Sequence, residues 1–269
     1  MVSRGRRWAA VVVVVLLVCT LSGCGRSGRA VTRTSDAVAA PSAAPSAARS
    51  SVGAGGVGGG VAPSGDASPT ISYPLRGPGM FDVAPVGGPV AGTGGTLLSY
   101  RVAVERGIGG TSATDFAGQV GAVLGDPRSW TGTGQWRLRL VPAGAPYDFT
   151  IYLVTPQTRD VLCGDGRDGY TSCRKGDNVV LNVARWVHAV PGYGAGLTAY
   201  REYMVNHETG HRLYNGHELC PGPGQLAPVM EQQTLGLHGC LPNSWPIVNG
   251  RIYHGVSGQY DDPIPSDPE

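Results

Sequence analysis

The sequence predicts an α/β fold in which a mostly parallel sheet is backed by two helices. Strand-like and helix-like segments follow each other from residue 96 onward, in the order strand, helix, strand, strand, loop, strand, helix. The strand segments are short apolar runs, and the helical segments carry apolar residues three and four positions apart. Strands that are separated by helical segments favour parallel pairing, because the helix carries the chain back across the sheet.

The first strand and the first helix are close together in the chain. TLLSYRVAVERG (96–107) is a run rich in Leu, Tyr and Val that ends at glycine. In the next segment, TSATDFAGQVGAVLGDPRSW, the residues at helical spacing are Phe116, Val120, Val123 and Leu124. A Ser or Thr caps the start of this helix, and Gly125-Asp126-Pro127 ends it.

Three further strands and a second helix complete the order. QWRLRLV (135–141) alternates cleanly, and YDFTIYLVTP (147–156) places its apolar residues on one face. A loop over 163–173 precedes the fourth strand, NVVLNVARW (178–186). The second helix begins near Leu197 and runs into a cluster of histidines.

The first residues resemble a bacterial export signal. A basic start is followed by an apolar run from Trp8 to Val18, which is too short to span a membrane as a helix and fits a signal peptide. Leu21-Ser22-Gly23-Cys24 resembles the bacterial lipobox. This resemblance implies a signal peptide over 1–23, a lipid on Cys24 and an anchor on the extracytoplasmic face of the cell membrane. The alternative is a plain secretory signal and a secreted protein.

Residues 24–78 are expected to form a flexible tether. They consist mainly of Ala, Gly, Ser, Pro and Thr, a composition that cannot bury enough apolar surface to offset its ordering entropy. We expect the ordered domain over 79–260 and a flexible tail over 261–269. From Gly79 onward the chain has 13 basic and 17 acidic residues, so nothing in this part indicates nucleic-acid binding.

The cysteines predict two disulfides. Four of the six cysteines lie in the expected domain, namely Cys163, Cys173, Cys220 and Cys240. An even number in an exported chain is typical of disulfides. Three pairings are possible, and we predict the two local ones, because each would brace a glycine-rich loop. The four lack the C-x-x-C spacing of cysteine-bound zinc.

The main functional signal is VNHETGHRLYNGHELC (205–220). His207 and His211 are four residues apart, so on a helix they lie on one face and could bind one Zn²⁺. Glu208 follows the first histidine and could hold and deprotonate a water molecule. Because catalytic zinc sites usually have three protein ligands, a third is needed, and His217 is the first candidate.

These residues resemble a known motif. HETGHRLYNGH matches HExxHxxGxxH of the metzincin zinc peptidases at all three histidines and at the glutamate. Tyr214 stands where metzincins have the glycine that makes the turn, so we expect the turn to shift to Asn215-Gly216. SCRKGDNVVLNVARW and CPGPGQLAPVM also resemble a metzincin-like branch of lipoproteins from high-GC Gram-positive bacteria.

The resemblance implies a zincin-type domain. Its sheet would be twisted and mostly parallel with an antiparallel edge strand, a backing helix, an active-site helix and a small irregular, disulfide-braced C-terminal part. Met230 would lie beneath the zinc on a tight turn, with plain core packing as the alternative. The strand over 178–186 would be an edge that pairs with an extended substrate, and the Cys220–Cys240 loop would form one wall of the cleft.

Other assignments stay open or are disfavoured. Glu231, 20 residues after His211, is an alternative third ligand, since this spacing resembles thermolysin-like enzymes, although Gly and Pro around it disfavour a helix. Asp165 and Asp168 lie in a loop without the alternating oxygen ligands of an EF-hand, so we interpret it as a disulfide-closed turn. The isolated histidines, interpreted as surface or packing residues, are His188, His238 and His254.

Together these observations predict a monomeric, membrane-tethered zinc metallopeptidase that acts on peptides or proteins. His207, His211 and His217 would hold Zn²⁺, and Glu208 would act as the general base. Two alternatives are a non-catalytic, zinc-stabilised binding module of the cell envelope and a zinc hydrolase for cell-wall peptides. Glu208 counts against the binding module, since a purely structural site has no need of that carboxylate.

Overall fold

The computed structural model describes residues 70–266, which contain one mixed seven-stranded sheet. Its strands are β1 (Phe81–Val83), β2 (Val90–Ala91), β3 (Thr96–Glu105), β4 (Trp136–Leu140), β5 (Phe149–Val154), β6 (Cys173–Lys175) and β7 (Asn178–Asn182). They lie in the order β2-β4-β3-β5-β7-β6, and β1 pairs with β3. The four central strands are parallel, whereas β1, β2 and β6 pair antiparallel. A mixed α/β fold with a mostly parallel sheet is therefore confirmed.

The helices include the two predicted from the sequence and two that were not. They are α1 (Ala113–Gly125), α2 (Pro156–Cys163), α3 (Val183–His188) and α4 (Leu197–Arg212). The start of α1 is a capping box, in which Ser112 and Asp115 each accept a hydrogen bond from the other's backbone N–H. With eight and six residues, α2 and α3 are too short to show a helical pattern.

The prediction of one edge strand over 178–186 is wrong. Strand β7 ends at Asn182, and it lies between β5 and β6. The side-chain oxygen of Asn182 accepts a hydrogen bond from Ala184 N at 3.0 Å and so caps α3. The chain therefore turns into a helix in the middle of the apolar run, and the edge position belongs to the antiparallel strand β6.

Both faces of the sheet are covered by helices. Along β5, the side chains of Phe149, Ile151 and Leu153 belong to the main core, as predicted, together with residues of α1, α3 and α4. On the opposite face, Val154 packs with Val180 in a smaller apolar cluster beside α2. Helix α4 is buried along most of its length, so its polar side chains are held in a fixed environment.

The chain after α4 is mostly irregular. Its strands are short pairs, namely β8 (Glu218–Leu219), β9 (Ile247–Val248), β10 (Arg251–Ile252) and β11 (Val256–Ser257). Strand β11 pairs with β8, and β10 pairs with β9. Disulfides join Cys163 to Cys173 and Cys220 to Cys240, which confirms the predicted pairing.

Residues at both ends of the expected domain pack against it. Residues 70–78, assigned above to the tether, include Ser72, which pairs with Gly109, and Gly77, whose N–H donates to Thr155 Oγ1 at 2.9 Å. Asp262, assigned to the tail, contacts His238. The signal peptide, Cys24 and the tether up to residue 69 lie outside the described residues. Between 70 and 266, no helix has the length and apolar character needed to cross a membrane.

Candidate metal centre

Helix α4 and the turn after it bring the three motif histidines together. His207 and His211 lie one helical turn apart, with their Nε2 atoms 3.2 Å from each other. The Nε2 atom of His217 lies 3.1 Å from that of His211. One ring nitrogen of each histidine thus points into a common space, and these atoms all lie within 4.8 Å of one another.

The turn that returns His217 to the helix is centred on Tyr214. Tyr214 has φ +68, so the expected shift of the turn to Asn215-Gly216 is wrong. The N–H groups of Tyr214 and Asn215 donate to the carbonyls of His211 (3.2 Å) and Gly210 (3.0 Å). This pair of hydrogen bonds defines a Schellman cap, which requires a left-handed residue at the position that Tyr214 occupies. The motif position therefore keeps its glycine-like conformation without a glycine.

Hydrogen bonds at the other ring nitrogens orient all three histidines. The Nδ1 atom of His207 donates to Val229 O at 2.8 Å, and that of His211 donates to Asn215 O at 2.9 Å. His217 Nδ1 lies 3.0 Å from Gln259 Oε1. A carbonyl oxygen only accepts, so Nδ1 carries the proton and Nε2 keeps a lone pair.

This arrangement of donors fits a metal ion. Three neutral imidazoles whose lone pairs converge repel one another, and a cation between them reverses this repulsion. Three histidine nitrogens bind the metal in one type of catalytic zinc site. Here a carboxylate lies beside the three histidines. The partners at Nδ1 are those that fix the tautomer of metal-bound histidines. The residues present thus fit Zn²⁺ with three protein ligands.

The environment keeps two of the histidines neutral. Burial, followed by the neighbouring His211 and His217, holds the pKa of His207 well below its ordinary value. Burial and then His217 lower the pKa of His211 to about 4. Neutral imidazole is the form that binds metals, so both rings are in the metal-binding form at neutral pH.

Glu208 lies beside this centre with one unsatisfied oxygen. Its side chain faces the cleft, yet the residue is only 6% exposed. Burial raises the pKa of the Glu208 carboxyl to about 8, against an opposing effect of Arg159 and with a smaller contribution from Asp168. Among residues 70–266, Glu208 Oε2 has no hydrogen-bond partner. A buried carboxylate without a partner is costly, which indicates that its partner is a ligand, a water molecule or a cation.

Met230 lies on a tight turn under the helix. Glu231 N donates to Pro228 O at 2.9 Å, so Val229 and Met230 are the central residues of a β-turn. Met230 packs against α4 at Gly210, where an added Cβ would come within 2.5 Å of the Met230 sulfur. The same turn supplies Val229 O to His207. It therefore both packs against the helix and orients a histidine.

Glu231 lies apart from the three histidines. Its buried carboxylate is 3.3 Å from His238 Nδ1, and His238 Nε2 is 3.2 Å from Asp262 Oδ1. Burial raises the pKa of Glu231 to about 7, although its hydrogen bond to His238 opposes this effect. The histidine cluster forms without Glu231, so the geometry disfavours it as the third ligand.

The other two isolated histidines also lie away from the cluster. His254 Nδ1 is 2.9 Å from Glu218 Oε1. The ring of His188 lies near Tyr73. Both are packing or surface residues in the described part of the chain, as the sequence indicated.

The centre opens into a cleft of about 630 Å³. The predicted wall from the Cys220–Cys240 loop is present, since Gln232, Thr234 and Leu235 line the cleft. The other disulfide-closed loop and strand β6 also contribute to its lining, which the sequence analysis did not foresee. Two disulfides therefore brace the surroundings of one cleft.

Asp165 and Asp168 of the Cys163–Cys173 loop, together with Asp160 of α2, surround an arginine. The Arg159 guanidinium is 2.6 Å from Asp168, 3.0 Å from Asp165 and 3.2 Å from Asp160. The Arg159 side chain is only 2% exposed, and it also donates to Thr171 Oγ1 at 2.9 Å. The carboxylates already share a cation, so the interpretation as a closed structural turn agrees with this geometry.

Gln259 and Arg159 are the site residues that sequence reasoning missed. Gln259 is 42 positions after His217, and it reaches this histidine because β11 pairs with β8. Arg159 belongs to α2, a helix without a sequence pattern of its own. The Pro at the start of α2 is the signal that could have located this helix.

The domain is thus a mixed α/β fold with a tri-histidine centre in a cleft. A family model described as "Protein of unknown function (DUF3152)" matches residues 67–243. This match covers about two thirds of the chain, and the chain belongs to this family. The motif histidines, Glu208 and Met230 all fall within the matched residues. Comparison with curated proteins and with solved structures gave no match.

Proposed function

We propose that the chain is a zinc metallopeptidase that resembles the metzincins. The observation that carries this proposal is the convergence of three histidine Nε2 atoms beside a buried glutamate with a free oxygen. A structural zinc site is closed by four protein ligands. Within residues 70–266, the group around these histidines has three members, and it faces an open cleft.

The residues of the chain would divide the chemistry as follows. His207, His211 and His217 would hold Zn²⁺, which supplies Lewis-acid chemistry when bound by polarising a peptide carbonyl and acidifying water. Glu208 would accept a proton from the attacking water at its free oxygen and pass this proton to the leaving amine. A neighbouring cation favours the ionised carboxyl, so the raised pKa of Glu208 would fall when the site is filled.

The substrate would be an extended peptide next to strand β6. Ser172, Cys173 and Arg174 line the cleft at this strand. In the described part of the chain, β6 has a strand partner on one side only, so its second edge can pair with a further strand. This role falls to β6, because β7 lies inside the sheet.

The location of the proposed enzyme follows from the first residues of the chain. The basic and apolar start and the lipobox-like Leu21-Ser22-Gly23-Cys24 support a lipid anchor on Cys24 at the extracytoplasmic face of the membrane. The tether was predicted over 24–78, and the part of it that precedes the described residues would let the domain reach substrates near the membrane surface. We propose that it acts as a monomer.

The proposal can be tested by a cleavage assay on the full chain. A peptide library and a set of cell-wall peptides are incubated with the protein, with and without 1,10-phenanthroline, and then after addition of Zn²⁺. We expect cleavage that the chelator stops and Zn²⁺ restores, and the preferred set would identify the substrate class. Cleavage that ignores the chelator, or a zinc-loaded protein without turnover on either set, would contradict the proposal. The second outcome would favour a binding module.

A further inference from the structure

The proposed chemistry does not use the side chain of Tyr214. Its backbone conformation is one that tyrosine disfavours. Its φ of +68 is set by the Schellman cap, and the cap would be less strained with glycine. Non-glycine residues that remain in this region are concentrated at functional sites, where the side chain has a role. The backbone strain at Tyr214 therefore indicates that its side chain has a role.

The side chain of Tyr214 is placed on the rim of the cleft. It is 77% exposed, so its role is not to pack in the hydrophobic core. It lines the cleft that contains Glu208 and the three histidines, and it lies between the second and third of these histidines in sequence. A group bound near the metal centre would therefore pass close to this ring.

A second aromatic ring lies close to the ring of Tyr214. The ring of Trp136, at the start of β4, is 6.5 Å from that of Tyr214, with an angle of 35° between the planes. Trp136 is itself half-buried and packs against the main core, so it is held firmly. The exposed part of the pair is the Tyr214 ring, because Trp136 does not belong to the residues that line the cleft. An exposed ring of this kind favours flat or apolar groups.

We infer that the Tyr214 ring, which lies against Trp136, forms a subsite for an aromatic or large apolar side chain of the substrate. This inference rests on the proposed peptidase function and adds to it a specificity-determining residue. Tyr214 contributes through its ring rather than through its hydroxyl. The left-handed conformation at residue 214 is retained because it directs the ring over the cleft.

The test compares Tyr214→Gly with Tyr214→Phe in the full, zinc-loaded chain. Two hydroxamates serve as probes, since both bind zinc through the same group: acetohydroxamate has only a methyl group, and 3-phenylpropanohydroxamate adds a phenyl ring. We expect Tyr214→Gly to weaken binding of the phenyl probe about fivefold and to leave acetohydroxamate binding unchanged. Tyr214→Phe should bind both probes like the wild type.

Asn249→Gly is the matched control. Asn249 also has a positive φ (51) without being glycine, and it lies outside the residues that line the cleft. Tyr214→Gly relieves backbone strain, and we expect its melting temperature to rise by about 3 °C. Asparagine tolerates this backbone region, so Asn249→Gly should change the melting temperature less. Only the change at residue 214 should affect the phenyl probe, and only it should reduce the preference for aromatic residues in peptide cleavage.

The outcomes separate this inference from the proposed function. Equal affinity of Tyr214→Gly and wild type for the phenyl probe would overturn the subsite, even if the wild type cleaves peptides. A loss in Tyr214→Phe as large as that in Tyr214→Gly would also overturn it, because the hydroxyl would then be the contributing group. If the phenyl probe loses affinity as expected but no peptide is cleaved, the subsite stands and the peptidase proposal fails. Failure of both probes to bind the wild type would overturn both.

Discussion

Two clusters of polar side chains face the same cleft and differ in how their charges and lone pairs are satisfied. Around Arg159, three aspartates surround a buried guanidinium, and hydrogen bonds to Thr171 and to backbone N–H groups complete the cluster. Around His211, three Nε2 lone pairs point at one another, and the Glu208 oxygen beside them has no partner within residues 70–266.

The difference shows how a structural polar cluster can be told from a ligand site. Buried polar groups in folded proteins are almost always paired. The arginine cluster pairs its carboxylates with a cation from within the chain, although Arg159 Nε has no hydrogen-bond partner among residues 70–266. These carboxylates therefore need no further ion, and the cluster closes the turn between Cys163 and Cys173. In the histidine cluster three Nε2 atoms converge on one another, and Glu208 Oε2 has no hydrogen-bond partner within residues 70–266, which makes this cluster the better candidate for a ligand site.

The largest expected effect is on the proposed catalysis at the histidine cluster. We predict that Glu208→Gln lowers kcat by about 1000-fold, because the amide cannot accept a proton from water. Zinc binding should be unchanged, since the three histidines remain. Glu202→Gln on the same helix is the control, with unchanged turnover expected. Peptide turnover and zinc content of both variants check the prediction, and an active Glu208→Gln enzyme would remove the proposed base.

The next largest effect should be on stability, when the arginine cluster loses its cation. Arg159→Met leaves the buried Asp168 carboxylate and the partly buried Asp160 carboxylate without their cation, and we expect the free energy of unfolding to fall by about 4 kcal/mol. Arg106→Met is the matched control, because the Arg106–Asp82 pair is more than half exposed and should contribute less than about 1 kcal/mol. Urea unfolding measures both. Equal effects of the two variants would contradict the structural role of Arg159.

Glu231 should make stability depend on pH. Its pKa is about 7 in the folded chain, above the ordinary value of about 4.3, so folding favours its protonated form. As pH rises from about 4.3 to 7, the unfolded chain loses this proton first, and the folded state is destabilised by up to about 4 kcal/mol. Glu231→Gln should be more stable than the wild type at pH 8 and similar at pH 4. If the urea midpoints of Glu231→Gln and the wild type differ by the same amount at pH 4 and at pH 8, this account is refuted.

The smallest effect concerns the orientation of the third histidine. Gln259→Ala removes the partner of His217 Nδ1, and such partners typically change metal affinity by about 10-fold or more. We expect zinc affinity to fall about 10-fold in competition with a chromophoric chelator. Gln225→Ala, a substitution outside the cleft lining, should leave the affinity unchanged. If Gln259→Ala binds zinc like the wild type, His217 is oriented by other contacts.

The parts of this fold that could be predicted are those whose signal is local. Helix α1 follows from its apolar spacing and from the capping Ser112, and the histidine face of α4 follows from a four-residue spacing. The pairing of both disulfides also followed from short loops. By contrast, β7 ends at Asn182 because the side chain of this residue caps a new helix, and the continuous apolar run conceals this change.

The rest of the site depends on contacts that sequence spacing does not encode. Gln259 reaches His217 through pairing of distant strands, and Val229 O reaches His207 through the Met230 turn. Tyr214 was expected to move the turn, because bulky residues disfavour a positive φ. The hydrogen bonds of the cap override this preference, and a local rule of propensity does not include such constraints.

The most direct test of the central claim is the zinc content of the full chain and of two variants by mass spectrometry under native conditions. The account predicts one zinc per chain in the wild type and in Glu231→Ala, and loss of zinc in His217→Ala. Loss of zinc from Glu231→Ala with retention in His217→Ala would contradict the assigned third ligand. A wild-type chain that takes up no zinc would contradict the metal centre itself.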